Sequence, residues 1–153
     1  MLFALIFAGV TSLVAPAKDL QQAARLASDL EVPIVLYVSR SDCSFCRRFE
    51  EDVLFPIIRS GEIDRKVLLR ELEWDRSAPL DDFTGTRVSA EALARRYDAK
   101  LTPTLLFLDH HGNELISRMT GYRESDYASY NLEAAIDLAF QRMVQDNAPE
   151  TRQ

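Results

Sequence analysis

An apolar run, Ile34-Val35-Leu36-Tyr37-Val38, leads almost directly into Cys43-Ser44-Phe45-Cys46, and a helical pattern follows. These are the only two cysteines among 153 residues. The β-branched content of the run predicts a buried strand. A strand that delivers two thiols, two residues apart, to the start of a helix constrains the fold to a βα unit with its chemistry at the strand's end. That is the setting in which two thiols cycle between dithiol and disulfide. A purely structural disulfide closing so short a loop would restrain the unfolded chain only weakly, because the entropic gain grows with loop length.

The first 17 residues contain no charge. Small residues at Ala15 and Ala17 stand at the −3 and −1 positions of a cut before Lys18, so residues 1–17 read as a signal peptide. The n-region is weak, with a terminal amine and no Lys or Arg. A retained membrane anchor is one alternative, although the run is short against the ~20 residues of a span. An internal strand or a mis-set start is another. Export places the cysteines in a periplasmic or otherwise oxidising compartment, where a C-x-x-C pair is either catalytic or a staple. The net charge of −6 argues against a phosphate-tracking nucleic-acid binder, which carries a basic excess or stripe.

The rest of the chain reads as one domain over residues 18–145, ending in a disordered tail at 146–153. Leu20, Ala23, Ala24, Ala27 and Leu30 recur at helical spacing. After the cysteines, Phe49, Val53, Leu54 and Ile57 make an apolar face, while Arg47, Arg48, Glu50, Glu51 and Asp52 are expected mainly outward. Pro56 is expected to kink that helix or end its first segment. Lys66–Leu72 reads as a strand, residues 74–88 as an ordered loop insertion, and Ser89–Tyr97 as a short helix. Thr104–Leu108 and Glu114–Thr120 read as a hairpin about His111-Gly112-Asn113. Leu132, Ile136, Ala139, Phe140 and Met143 mark a C-terminal amphipathic helix.

The order α-β-α-β-α-β-β-α, with C-x-x-C after the first core strand and Leu101-Thr102-Pro103-Thr104-Leu105 opening the hairpin, resembles the thioredoxin fold. The resemblance spans about Lys18–Met143 and is most similar to the exported thioredoxin-related proteins of bacteria, the SoxW-like group. It implies an α/β fold with a central mixed four-stranded sheet flanked by helices, plus an extra N-terminal helix. It implies a thiol–disulfide oxidoreductase with Cys43 attacking and Cys46 resolving, a client protein carrying a disulfide, an upstream thiol reductant, and a monomer without cofactor. It also implies that Thr102-Pro103 is a cis-proline loop facing the site, where the residue before proline pairs its backbone with a substrate strand. Within the family, Ser44 and Phe45 set the redox poise; a small residue followed by an aromatic is closer to glutaredoxins and disulfide isomerases than to thioredoxin. Phe45 is equally read as a plain hydrophobic contact or part of a docking surface.

Physical chemistry agrees on the cysteines independently. A thiol at a helix N-terminus meets unpaired N–H groups and the helix dipole, which favour its thiolate. Cys46, one turn further, is expected to be more buried and protonated until a mixed disulfide forms. Asp42 reads as helix N-cap and as a charge that opposes the thiolate. Arg47, one turn from Cys43, either favours the thiolate or is simply solvated. One departure stands out. Thioredoxin has a buried Asp six residues before its first cysteine, and this chain has Tyr37, a poor base with a reference pKa near 10.

A zinc site built from the cysteines and His110-His111 is not expected. The histidines lie roughly 20 Å along the strand from Pro103 at ~3.3 Å per residue, and neighbours on a strand point to opposite faces. Trp74 reads as packing. The remaining alternatives to a reductase are a thioredoxin-fold binding module with little turnover, an inert structural disulfide, and a disulfide isomerase.

Overall fold

Two apolar runs become the centre of a sheet. In the computed structural model, which describes residues 13–123 and 127–146, the first run forms β1 (Ile34–Ser39) and the second forms β5 (Thr104–Leu108). They pair antiparallel in a register that sets Leu36 opposite Leu106. On its other edge β1 pairs parallel with β2 (Leu68–Glu73), and β5 pairs antiparallel with the short β6 (Met119–Thr120). The order β2-β1-β5-β6 gives the mixed four-stranded sheet. Because both central strands are covered on both faces, they read as continuous apolar runs rather than alternating ones.

The period of two sends alternate residues to two separate cores. Val35, Tyr37, Leu105 and Phe107 face one side with Cys43, Cys46, Phe49 and the helix α5 (Ala128–Asp146). Ile34, Leu36, Val38, Leu106 and Leu108 face the other, against α1 (Leu20–Leu30) and α4 (Ala90–Arg96). Both of these shorter helices start on side-chain caps, Asp19 accepting from the Gln22 amide and Ser89 from the Ala92 amide. Of the expected inward face of α5, Leu132, Ile136, Ala139 and Met143 are buried and Phe140 is half-buried. α5 runs through Asp146, and the tail expected beyond it lies outside the described residues.

The helix after the cysteines is not a single α-helix. α2 (Ser44–Phe49) passes into a π-helical turn at Glu50–Leu54, in which the Phe55 amide donates to the Glu50 carbonyl, and then into α3 (Phe55–Ser60). Pro56 accounts for the change. It has no N–H for the Asp52 carbonyl, and in an α-helix its ring would crowd that carbonyl, so the wider turn relieves both. Glu50, expected outward, turns in.

Two other expectations need correction. The expected loop at 74–88 holds a two-stranded hairpin, β3 (Leu80–Asp81) with β4 (Arg87–Val88). Its turn is built on buried Asp82, whose Oδ1 accepts from the Thr84 amide and hydroxyl and the Thr86 amide, while Oδ2 pairs with Arg96 at 2.6 Å. The expected strand Glu114–Thr120 shrinks to β6, with Glu114 making an isolated bridge to Leu108. The Arg118 side chain reaches the Tyr97 carbonyl and the Glu114 carboxylate, and the Leu115 amide still donates to the Phe107 carbonyl.

The segment read as the end of a leader is part of the packed domain. The Ala17 amide donates to the Glu71 carbonyl and the Glu71 amide to the Ala15 carbonyl, so residues 15–17 line the outer edge of β2. Val14 and Ala17 are buried, one in each core. Among the described residues no helix is long and apolar enough to cross a membrane.

Candidate active site

β1 ends at Ser39, and the short loop Arg40–Asp42 carries the chain to the first cysteine. That loop is held from the strand next door. The Trp74 amide donates to the Ser39 carbonyl at 3.0 Å, and both the amide and the hydroxyl of Ser41 donate to Asp75. The Ser41 hydroxyl bond holds the Asp75 carboxyl below its ordinary range. Arg40 lies over the Trp74 ring at 5.5 Å and pairs with Asp42 at 2.8 Å. Trp74 is therefore a platform for the loop as well as a packing residue.

Cys43 and Cys46 are joined by a disulfide, with Cα atoms 5.2 Å apart. Cys43, not Asp42, caps α2: its backbone is extended, and its Sγ accepts from the Cys46 amide at 3.0 Å. Asp42 is turned away to Arg40 because the helix begins one residue later than an Asp42 cap requires. Cys46 is 2% exposed and sits in the core cluster under the sheet, whereas Ser44 and Phe45 are exposed. Phe45 is 56% exposed, which removes the reading of it as an internal hydrophobic contact. Arg47 is exposed on α2.

The second wall comes from the start of β5. The Thr102–Pro103 bond is cis. The Thr102 hydroxyl donates to Cys43 Sγ at 3.3 Å, so the sulfur that the helix start presents receives two donors, one from each wall. Hydrogen bonds to a sulfur that becomes anionic favour the charged form. Arg40, Asp42, Cys43, Ser44, Phe45 and Thr102 line an open depression at this place. Leu101, 64% exposed, adds to the apolar rim that Phe45 begins. Such a surface suits an extended polypeptide rather than an enclosed small molecule.

Beneath the cysteines lies a pair that the outward assignment of Glu50 missed. Tyr37, fully buried on β1, donates its hydroxyl to Glu50 Oε1 at 2.8 Å and packs on Phe49 with ring centroids 5.8 Å apart. Burial raises the Glu50 carboxyl above its ordinary value. The Tyr37 bond opposes that shift, Glu71 adds to it, and Arg47 opposes it. Burial first, then the charge of Glu50, pushes the Tyr37 phenol far above its ordinary value, so it remains a donor. On the same face of the sheet, Ser39 donates to Glu71 at 2.6 Å. The signal in the sequence was the spacing: Glu50 stands four residues after Cys46, on its helix face.

The histidines are elsewhere. His110 and His111 lie in the hairpin turn beyond β5, with ring centroids 4.3 Å apart. No group of side chains among the described residues is arranged to hold a metal ion.

Comparison with known proteins agrees with this geometry. The family model of the thioredoxin-like domain matches residues 20–136. No curated sequence matches the chain. Among solved structures, a thioredoxin-fold protein from Helicobacter pylori is similar at 22% identity and TM-score 0.57, covering 76% of this chain and 80% of its own. A DsbH oxidoreductase is similar at 17% identity and TM-score 0.58, covering 84% and 85%. Thioredoxin O2 from Arabidopsis thaliana, in its oxidized state, is similar at 16% identity and TM-score 0.52, covering 81% and 90%. At these identities the likeness is one of fold.

Proposed function

The chain belongs to the thioredoxin-like domain family, and from that premise we propose that it is an exported thiol–disulfide oxidoreductase that reduces disulfides of a dedicated periplasmic partner. One observation carries the reading: Cys43 caps a helix, lines the open depression and receives the Thr102 hydroxyl, while its disulfide partner Cys46 is sealed in the core at 2% exposure. The asymmetry assigns the roles. Cys43 attacks a client disulfide, and Cys46, shielded from other partners, resolves the mixed disulfide that results. The protein leaves as the disulfide and needs an upstream thiol reductant to act again.

The remaining residues fit this cycle. Phe45 and Leu101 offer apolar contact to a client segment, and the backbone at Thr102 pairs with it as an added strand. Thr102 and Arg47 bias charge at the site, while Asp42, tied to Arg40, stands at its rim. The chain acts as a monomer and resembles the exported bacterial group more than a general cytosolic thioredoxin, because the apolar start of the chain has the pattern of a leader.

A Cys46→Ser variant tests the reading. In the native compartment it should accumulate as a mixed disulfide through Cys43 with one client or a few, reversed by a thiol reductant. A folded variant that captures nothing would point instead to a binding module that docks through Phe45 and Leu101 with little turnover. A reduction potential below about −300 mV, the range of structural disulfides, would overturn the redox role altogether.

A further inference from the structure

Resolution makes a demand that Cys43, which lines the open depression, does not face. Cys46 is 2% exposed, and burial in apolar surroundings disfavours a thiolate. Its proton has to leave at the moment the sulfur attacks. Tyr37 lies in the same core cluster and is held protonated by its surroundings, so it is not the acceptor.

Glu50 meets the requirement by position. Its amide donates to the Cys46 carbonyl, which fixes the two residues one helical turn apart on one face. Its carboxylate is drawn inward by the Tyr37 hydroxyl, and Tyr37 shares the core cluster of Cys43, Cys46 and Phe49. We propose that Glu50 accepts the proton of Cys46 in the resolving step and that Tyr37 is the residue that positions its carboxylate. This rests on the reading of the chain as an oxidoreductase.

The step balances without a further reactant. The Cys46 thiol gives its proton to Glu50, and the sulfur's electron pair forms a bond to Cys43 Sγ. The bond between Cys43 and the client sulfur breaks, and its pair leaves on the client as thiolate. The client gains two electrons, both from the cysteines, which become the disulfide. Glu50 then returns its proton to the leaving thiolate or to water. A base works best when its proton affinity lies near the working pH, and an ordinary exposed carboxylate is too weak. Around Glu50 the facing groups are Tyr37 on β1, Glu71 on β2, Arg47 on α2 and Glu51 in the π turn. Burial and the two acids raise its proton affinity, while Tyr37 and Arg47 restrain it.

The test uses the reduced full chain and 5,5′-dithiobis(2-nitrobenzoate) as the disulfide, followed by stopped-flow absorbance of the two thiolates released. The first phase is attack by Cys43 and the second is resolution by Cys46. In Glu50→Gln the first phase should be unchanged, and the second should slow roughly tenfold or more near about pH 6 to 7 and lose its carboxylate inflection. In Tyr37→Phe the inflection should move to higher pH, because the bond that favours ionised Glu50 is gone. A packing role alone would not move it. An E50Q second phase with the native rate and pH profile would overturn the proposal, as would equal slowing of both phases at every pH. If E50Q does not fold, an unmoved inflection in Y37F overturns it. Failure of the oxidoreductase reading looks different: the folded Cys46→Ser variant would then capture no client in the native compartment, whatever the two phases with the small disulfide show.

Discussion

Thr102→Val removes one oxygen from the site and leaves the shape and the backbone as they are. The lost hydroxyl is the donor to Cys43 Sγ at 3.3 Å, while the Cys46 amide at 3.0 Å remains. A hydrogen bond to a charged acceptor contributes about 1.5–3 kcal/mol, and the length of this one sets it near the low end. The same bond to a neutral disulfide sulfur is worth much less, so the loss falls on the reduced, thiolate-bearing state. A loss of about 1.4 kcal/mol is roughly a tenfold fall in the ratio of thiolate to thiol. Alkylation should nevertheless slow only about threefold, because a more basic thiolate is a better nucleophile with a Brønsted slope of roughly 0.4–0.5. The potential should become more negative by about 30 mV, since removing the donor destabilises the reduced form relative to the disulfide. Iodoacetamide kinetics across pH and equilibration with glutathione measure the two quantities. A variant with native alkylation kinetics and an unchanged or more positive potential would refute the assignment of Thr102 as a thiolate donor.

Asp82→Asn keeps the three bonds that one oxygen accepts but sets an amide against Arg96, and should cost about 2 kcal/mol, or roughly 4–8 °C in melting temperature. Bonds from the Thr84 hydroxyl, then Arg96, hold the Asp82 carboxyl well below its usual range. Its stabilisation is therefore complete above the unfolded value near 3.9 and is lost as pH falls through the lower folded value. The gap between native and variant proteins in chemical denaturation should close below about pH 4, and a constant gap into strong acid would count against the linkage. A chain beginning at Lys18 should melt close to one beginning at Leu13. The buried Val14 and the edge hydrogen bonds contribute about 3–5 kcal/mol, and ordering residues 14–17 costs a similar amount. The Glu71 amide should lose its exchange protection in the shorter chain, and retained protection would show that the edge pairing does not form in solution.

How far the sequence could be read depended on the length of each signal. Ile34–Val38 and Thr104–Leu108 are long enough for apolar content to mark central strands, and α1 shows its period in five positions. β3, β4 and β6 are two residues each, too short for any period to register. What signals the 80–88 hairpin is turn chemistry, an Asp followed by Thr84, Gly85 and Thr86, rather than hydrophobicity. The role of Asp82 is not legible locally, because its partner, Arg96, lies on a later helix. Likewise, nothing local to Glu114–Thr120 reveals that the Arg118 side chain will reach the Tyr97 carbonyl. At the site, the cysteines and Thr102 were legible because spacing and context are local properties. Glu50 was not, because its inward turn follows from Pro56 and from Tyr37 across the core.

That inward turn also has a thermodynamic meaning. A carboxylate partly withdrawn from water, with one donor and two acidic neighbours raising its proton affinity, is a poor choice for stability alone. The Tyr37 hydroxyl offsets part of the penalty, and so does Arg47. Yet the cheaper arrangement was available: phenylalanine at 37 and an apolar residue at 50 would bury the same surface without stranding a charge. Phe49, one position earlier, is already packed on Tyr37, so the layer accepts aromatic and aliphatic side chains. The π turn adds to the case. Pro56 forces the chain to widen just where Glu50 sits, and Val53, Leu54 and Ile57 still reach the core beyond it. Local rules are broken twice within one helical run, by a π turn and a half-buried acid, and the strand facing it adds a buried tyrosine held far from ionisation. Such breaches gather where chemistry rather than stability sets the residue, and here they gather around the sulfur that must lose its proton away from water.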